Sequence, residues 1–61
     1  MIKDKNEIIL KVGDRVQDKK GELWRIENIN GVTFMTRYNS KNKMVETKPF
    51  RKFDFATSRK V

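Results

Sequence analysis

The sequence predicts an all-β domain, a small five-stranded barrel with a short 3-10 turn before its last strand. Three observations predict it: the apolar residues fall into short runs with strand-like alternation, each of the three glycines stands at an expected turn, and 61 residues allow only one domain. Five short strands must protect their edges, and a strongly bent barrel does so economically. We assign the barrel to residues 7–56 and expect flexible basic termini at 1–6 and 57–61.

The first two strands are expected on either side of a tight turn. The alternating apolar run 7–12 leads through a Gly-Asp step into the first strand, which ends at the turn-forming residues 18–21. Residues 23–28 give the clearest strand, because Trp24 and Ile26 alternate with polar residues and share one face.

Asn30-Gly31 closes a hairpin into a third strand at residues 32–38. A two-residue loop would put Glu27 beside Phe34, whereas a three-residue loop would place Trp24 on the same face as Phe34. We expect the three-residue loop, because its register creates a coherent apolar face.

The remaining elements are shorter. Residues 43–47 form a fourth, weaker strand, and Pro49 marks its end. The spacing of Phe50 and Phe53 indicates one 3-10 turn, after which residues 53–55 pair as the fifth strand. The expected core consists of large apolar side chains, namely Trp24, Ile26, Phe34 and either Phe53 or Phe55.

The first hairpin resembles that of a known class of barrels. Val12-Gly13-Asp14-Arg15-Val16, a turn at Lys20-Gly21 and Trp24 on the next strand are similar to the opening of SH3-like barrels, including the KOW and Tudor-like modules of nucleic-acid and chromatin proteins. Residues 12–26 also resemble the opening of the plasmid-borne type II dihydrofolate reductases, which share that barrel. The catalytic strand of that family carries Val-Gln-Ile-Tyr, whereas residues 44–47 read Met-Val-Glu-Thr. The resemblance therefore implies the fold and not the reductase activity.

Positive charge is concentrated in the second half of the chain. Residues 1–30 carry seven Lys or Arg against six Asp or Glu, and residues 31–61 carry eight against two, within a total net charge of +7. A one-sided positive field favours polyanions such as nucleic acid, an acidic protein or an anionic membrane surface. The plainer alternative is that the lysines serve solubility.

The sequence shows no catalytic equipment, so we expect no enzyme activity, no cofactor and no metal. It lacks His and Cys, its glycines are isolated, and its acidic residues are flanked by Lys or Arg as on a solvated surface. No apolar stretch approaches the roughly 20 residues that span a bilayer, and the N-terminus lacks the apolar middle of a signal peptide. We therefore expect a cytoplasmic protein without a membrane partner.

The expected function is binding of nucleic acid, DNA or RNA, through a basic face in residues 37–52. Lysines and arginines would meet phosphates, while Tyr38 and Phe50, the aromatics expected to be exposed, would stack on bases. The predicted nucleic-acid-binding residues are Arg37, Tyr38, Lys41, Lys43, Lys48, Phe50, Arg51 and Lys52.

Two other hypotheses about the function remain open. A protein-binding adaptor or inhibitor would dock an acidic protein surface, such as that of a host protein, since the composition is in the style of a phage or mobile-element product. A homo-oligomer would relieve an open sheet edge or exposed aromatics by pairing with another copy.

Overall fold

The computed structural model describes residues 1–61 as one five-stranded antiparallel sheet without an α-helix. Two 3-10 turns, the first at Phe50–Lys52 and the second at Phe55–Thr57, precede the last strand. The strands are β1 (Arg15–Gln17), β2 (Leu23–Ile29), β3 (Val32–Tyr38), β4 (Met44–Pro49) and β5 (Arg59–Lys60). The prediction of a mostly-β domain with five strands and a 3-10 turn before the last one is confirmed.

The sheet is not closed into a barrel, so that part of the prediction is wrong. The strand order is β4-β3-β2-β1-β5, and each edge strand pairs with only one neighbour. β5 has two residues, which pair with β1, and no pairing joins β5 to β4. β4 is therefore an open edge, where Lys48 and Pro49 are residues typical of protected edge strands.

The β2–β3 hairpin has a two-residue loop, so the expected three-residue loop is wrong. Asn30 and Gly31 have φ angles of 52° and 82°, and Ile29 pairs directly with Val32. Two consecutive positive φ values are the requirement of a type I′ turn, whose twist matches that of the strands. The local chemistry of Asn-Gly therefore decides the register.

This register puts Met35, not Phe34, in the core. Met35 lies opposite Ile26 and is fully buried, whereas Phe34 lies opposite Glu27 and is only half-buried. An unbranched Met side chain adapts easily to an irregular space between larger groups. The buried apolar residues are Leu10, Val16, Trp24, Ile26, Met35 and Phe53.

The last strand lies later in the chain than predicted. Residues 53–55 do not form a strand: Phe53 enters the core, and Asp54 caps the second 3-10 turn by accepting the N–H of Ala56. Arg59 instead pairs with Gln17 of β1. The fifth strand is thus positioned by a partner distant in sequence, which its own two residues do not reveal.

The two ends of the chain, which we expected to be flexible, are joined through Asp4. Asp4 is a buried residue, 4% exposed; one carboxylate oxygen accepts the N–H groups of Asn6 and Ile8, each at 2.9 Å, and the other accepts the N–H of Lys60 at 2.7 Å. The N-terminal segment is therefore tied directly to β5.

Asp4→Asn is expected to lower the melting temperature near neutral pH, because an amide NH2 would face the N–H of Lys60. The hydrogen bond from the Lys60 N–H is the main cause that lowers the pKa of Asp4 below 3.8. A carboxyl with a depressed folded-state pKa stabilises the fold above the unfolded pKa, and this contribution is lost as the pH falls through the folded value. In thermal denaturation series between about pH 7 and about pH 2, the difference between the two proteins should therefore shrink in acid. A difference that does not change with pH would contradict this role.

Gly31→Ala is expected to destabilise the hairpin by about 1 kcal/mol, the cost of a left-handed φ for a residue with a Cβ. A Cβ at this position would meet no atom within 4 Å, so the effect comes from the backbone alone. Urea denaturation would measure it. Asn30→Gly is the control, since glycine adopts the φ of 52° without strain and should change the stability much less.

Candidate functional site

One groove of the molecule lies in front of Trp24, on the face of the sheet that holds the core. Its volume is about 340 Å³. The charged side chains that line it are four basic ones (Lys19, Lys20, Arg37 and Lys48) and four acidic ones (Asp18, Glu22, Glu46 and Asp54). The groove is thus balanced in charge, unlike the chain as a whole.

Trp24 forms the floor of this groove. It is 4% exposed, and its ring meets that of Phe53 edge-on with 5.2 Å between the centres. The indole N–H donates to Asp18 Oδ2 at 2.9 Å, and Asp18 Oδ1 accepts the N–H groups of Lys20 and Glu22. Burial alone would raise the pKa of Asp18, but these three hydrogen bonds together lower it. Asp18 thus fixes both the turn and the indole.

Arg37 bridges two carboxylates across the groove. On β3 it lies between Trp24 of β2 and Glu46 of β4, and its guanidinium contacts Glu46 at 3.1 Å and Glu22 at 2.6 Å. The hydrogen bond to Glu46 is the main cause that raises the pKa of Arg37. Because two carboxylates match its charge, Arg37 does not present a free cation to a phosphate.

Lys48 lies on the same face as Arg37 and is half-buried. It pairs with Met35 of β3, and its ammonium nitrogen is 5.2 Å from the centre of the Trp24 ring, within the range of a cation–π contact. Lys48 forms no ion pair. Its charge therefore has no acidic partner, although the ammonium lies over the Trp24 ring.

Tyr38 lies on the opposite face of the sheet, because consecutive residues of a strand alternate. Its hydroxyl donates to Glu27 at 2.8 Å, which is the main cause that lowers the pKa of Glu27. The Arg25 guanidinium stands 5.6 Å from the centre of its ring. Tyr38 is thus engaged by side chains of β2.

Lys41 and Lys43, here called the turn pair, belong to the turn between β3 and β4. Asn39 shapes this turn, since its Oδ1 accepts the backbone N–H groups of both lysines at 2.9 and 3.0 Å. The two side chains are exposed and form no ion pair. Both charges are available to a ligand.

Arg51 and Lys52, here called the 3-10 pair, lie in the first 3-10 turn at the other end of β4. They too are exposed and form no ion pair. The preceding Phe50 is half-buried, packs against the core and lies 5.1 Å from Phe55 between ring centres. The six residues of β4 put about 20 Å between the turn pair and the 3-10 pair, at about 3.3 Å per residue.

The structure therefore divides the predicted basic face into separate parts. The turn pair and the 3-10 pair lie at opposite ends of β4, with Lys48 on the inner face between them. Arg37 is held within the groove and Tyr38 faces the other side. The predicted residues are neighbours in sequence but do not form one continuous surface.

Almost all the carboxylates are bonded within the molecule, while most basic side chains are not. Of the acidic side chains, only Glu7 has neither a hydrogen bond nor an ion pair. Of the 15 basic side chains, only Arg25, Arg37 and Lys60 form ion pairs. The surface that a ligand meets is therefore dominated by positive charge.

Sequence reasoning missed the acidic side of the groove. We took Asp18 and Glu22 for solvated surface residues because lysines flank them, whereas they hold Trp24 and Arg37. The turn composition around Asp18 is the signal for the first contact, since aspartate in a turn accepts nearby backbone N–H groups. No local pattern predicts the contact between Glu22 and Arg37, because these residues are fifteen positions apart.

Comparisons with protein-family models, curated proteins and solved structures gave no significant match. None of the helical segments has the length and apolar composition needed to cross a membrane. No cluster of three or more acidic side chains is arranged to hold a metal ion.

Proposed function

We propose that this domain is a non-catalytic module that binds nucleic acid through the turn pair, Lys48 and the 3-10 pair. The observation that carries the proposal is the unequal use of charges: the carboxylates are bonded internally, whereas these five basic side chains have no acidic partner. Unpaired Lys and Arg side chains attract phosphates and release the counterions condensed on them. The interaction proposed here is with the backbone, which positions a protein without reading sequence.

Arg37 has a different part in this proposal from the one that the sequence suggested. Its two ion pairs join the turn before β2 to β4 and so hold the groove in shape. It is a positioning residue for Lys48, whose ammonium lies over the same indole.

We also interpret the domain as an open relative of the SH3-like barrels. The resemblance of residues 12–26 supports this, as does the return of β5 to pair with β1. Such a sheet exposes the β3–β4 turn and the segment after β4 to a ligand, and these are the places where the unpaired cations lie.

The test is an anisotropy titration of labelled DNA and RNA with the full chain at about 50 and about 200 mM salt, because phosphate binding is strongly salt-dependent. Binding is expected at low salt, with log affinity falling by about 0.9 for each phosphate contact on duplex DNA per decade of salt. Heparin, a polyanion without nucleic-acid geometry, is the competitor. No binding, or equal preference for heparin, would contradict the proposal.

A second candidate, binding of an acidic protein, is favoured by the open edge of β4. This strand exposes unpaired backbone, and Met44 and Val45 are 59% and 47% exposed. An added strand from a partner would pair with such an edge. Backbone pairing at the edge depends little on salt, so a partner held mainly through β4 would show a shallower salt dependence than a nucleic acid, which separates this candidate from the first.

A further inference from the structure

We infer that the nucleic acid bound by this domain is a duplex and not a single strand; the inference rests on the proposed function. Proteins that hold single strands combine a basic groove with aromatic side chains on which successive bases stack. This chain has six aromatic residues, but none of them lines a basic groove.

Four of the six aromatic rings are packed together within the protein. Trp24 and Phe53 are buried against each other, and Phe55 lies 4.8 Å from Phe53 and 5.1 Å from Phe50 between ring centres. Every large hydrophobic side chain that is exposed is aliphatic. The base-stacking role that we first assigned to Phe50 therefore lacks a free ring.

The other two aromatics lie on the outer face of the sheet and are only half-buried. Tyr38 is fixed by its hydrogen bond to Glu27 and lies beneath Arg25, and Phe34 is flanked across the sheet by Glu27 and Pro49. A base approaching either ring would meet the Glu27 carboxylate. Stacking there would bring a phosphate chain towards a negative charge.

The groove over Trp24 is equally unsuited to a single strand. Four carboxylates line it, and the ammonium of Lys48 and the guanidinium of Arg37 already lie over the indole. A strand that entered would lose the ion pairs of Arg37 and pass close to Glu22 and Glu46. The groove with Trp24 as its floor is therefore not a basic one.

The free cations instead lie far enough apart to meet separate phosphates of one duplex. The turn pair and the 3-10 pair are about 20 Å apart along β4. A duplex also carries one charge per about 1.7 Å of axis, the densest array that isolated cations can meet.

The test compares one labelled duplex of about 16 base pairs, the footprint of a small shape-reading domain, with each of its separated strands. At about 50 mM salt we expect the duplex to bind at least about tenfold more tightly than either strand. We also expect no strong quenching of Trp24, the only tryptophan, on duplex binding, because its buried indole is not free to stack on a base.

Three outcomes separate the inference from the proposed function. Strands that bind as tightly as the duplex, or that quench Trp24 by stacking, overturn the inference and leave the proposed function intact. Binding to neither form overturns the proposed function. Duplex binding that exceeds strand binding and is lost with salt supports both.

Discussion

Trp24→Ala is expected to unfold most of the protein at about 25 °C, with a loss of about 3 to 5 kcal/mol in the free energy of unfolding. The indole is buried and packs against Phe53, and its N–H holds Asp18. A chain of 61 residues has a total stability of only about 3 to 9 kcal/mol. One substitution at this position therefore removes most of the free energy of unfolding. Urea denaturation followed by circular dichroism would measure this loss.

Two control variants separate the contributions at Trp24. Trp24→Phe keeps an aromatic ring in the core and removes the hydrogen bond to Asp18, so it should cost about 1 to 3 kcal/mol. Phe34→Ala removes a half-buried ring from the other face and should cost less than Trp24→Ala. If Phe34→Ala were the more damaging of the two alanine variants, the hairpin register described above would be wrong.

The strands that follow from local chemistry were predictable from the sequence, and their pairing was predictable only in part. The alternation of apolar and polar residues predicts β2 and β3, and Asn30-Gly31 predicts the turn that connects them. The register was not, because Phe34 and Met35 are both apolar and a slip of one residue exchanges the two faces. We expected Phe34 in the core because its side chain is the larger, whereas the turn geometry places Met35 there.

The contacts that close the fold are between distant parts of the chain and leave no local pattern. β5 is the dipeptide Arg59–Lys60, which has no apolar alternation, and its place depends on β1 and on the carboxylate of Asp4. A buried aspartate near a terminus looks in the sequence like one more solvated charge.

The composition of the candidate site was easier to predict than its arrangement. The excess of basic residues after position 30 is visible in the sequence, and the structure leaves most of those side chains without an ion pair. What the sequence did not show is which cations are already paired. Arg37 has no acidic neighbour in sequence, yet β4 supplies Glu46 and the preceding turn supplies Glu22.

Replacing the turn pair and the 3-10 pair with glutamine is expected to weaken duplex binding by about 100-fold or more at about 50 mM salt. The variant carries Lys41→Gln, Lys43→Gln, Arg51→Gln and Lys52→Gln. If each side chain meets one phosphate, the slope of log affinity against log salt should fall by about 3.6. Stability should change little, because the four side chains are exposed and Asn39 bonds only to the backbone of the turn.

A matched variant decides whether location or total charge is responsible for this loss. Lys3→Gln, Lys5→Gln, Lys11→Gln and Arg15→Gln remove the same number of exposed positive charges from the first half of the chain. Long-range attraction depends on net charge, so this variant should lose some affinity, but less than about tenfold, because screening at about 50 mM salt weakens distant charges. Equal losses in the two variants would mean that the domain attracts polyanions without a defined surface. A greater loss in the first variant would locate the phosphates at the two ends of β4, where the fold leaves its cations unpaired.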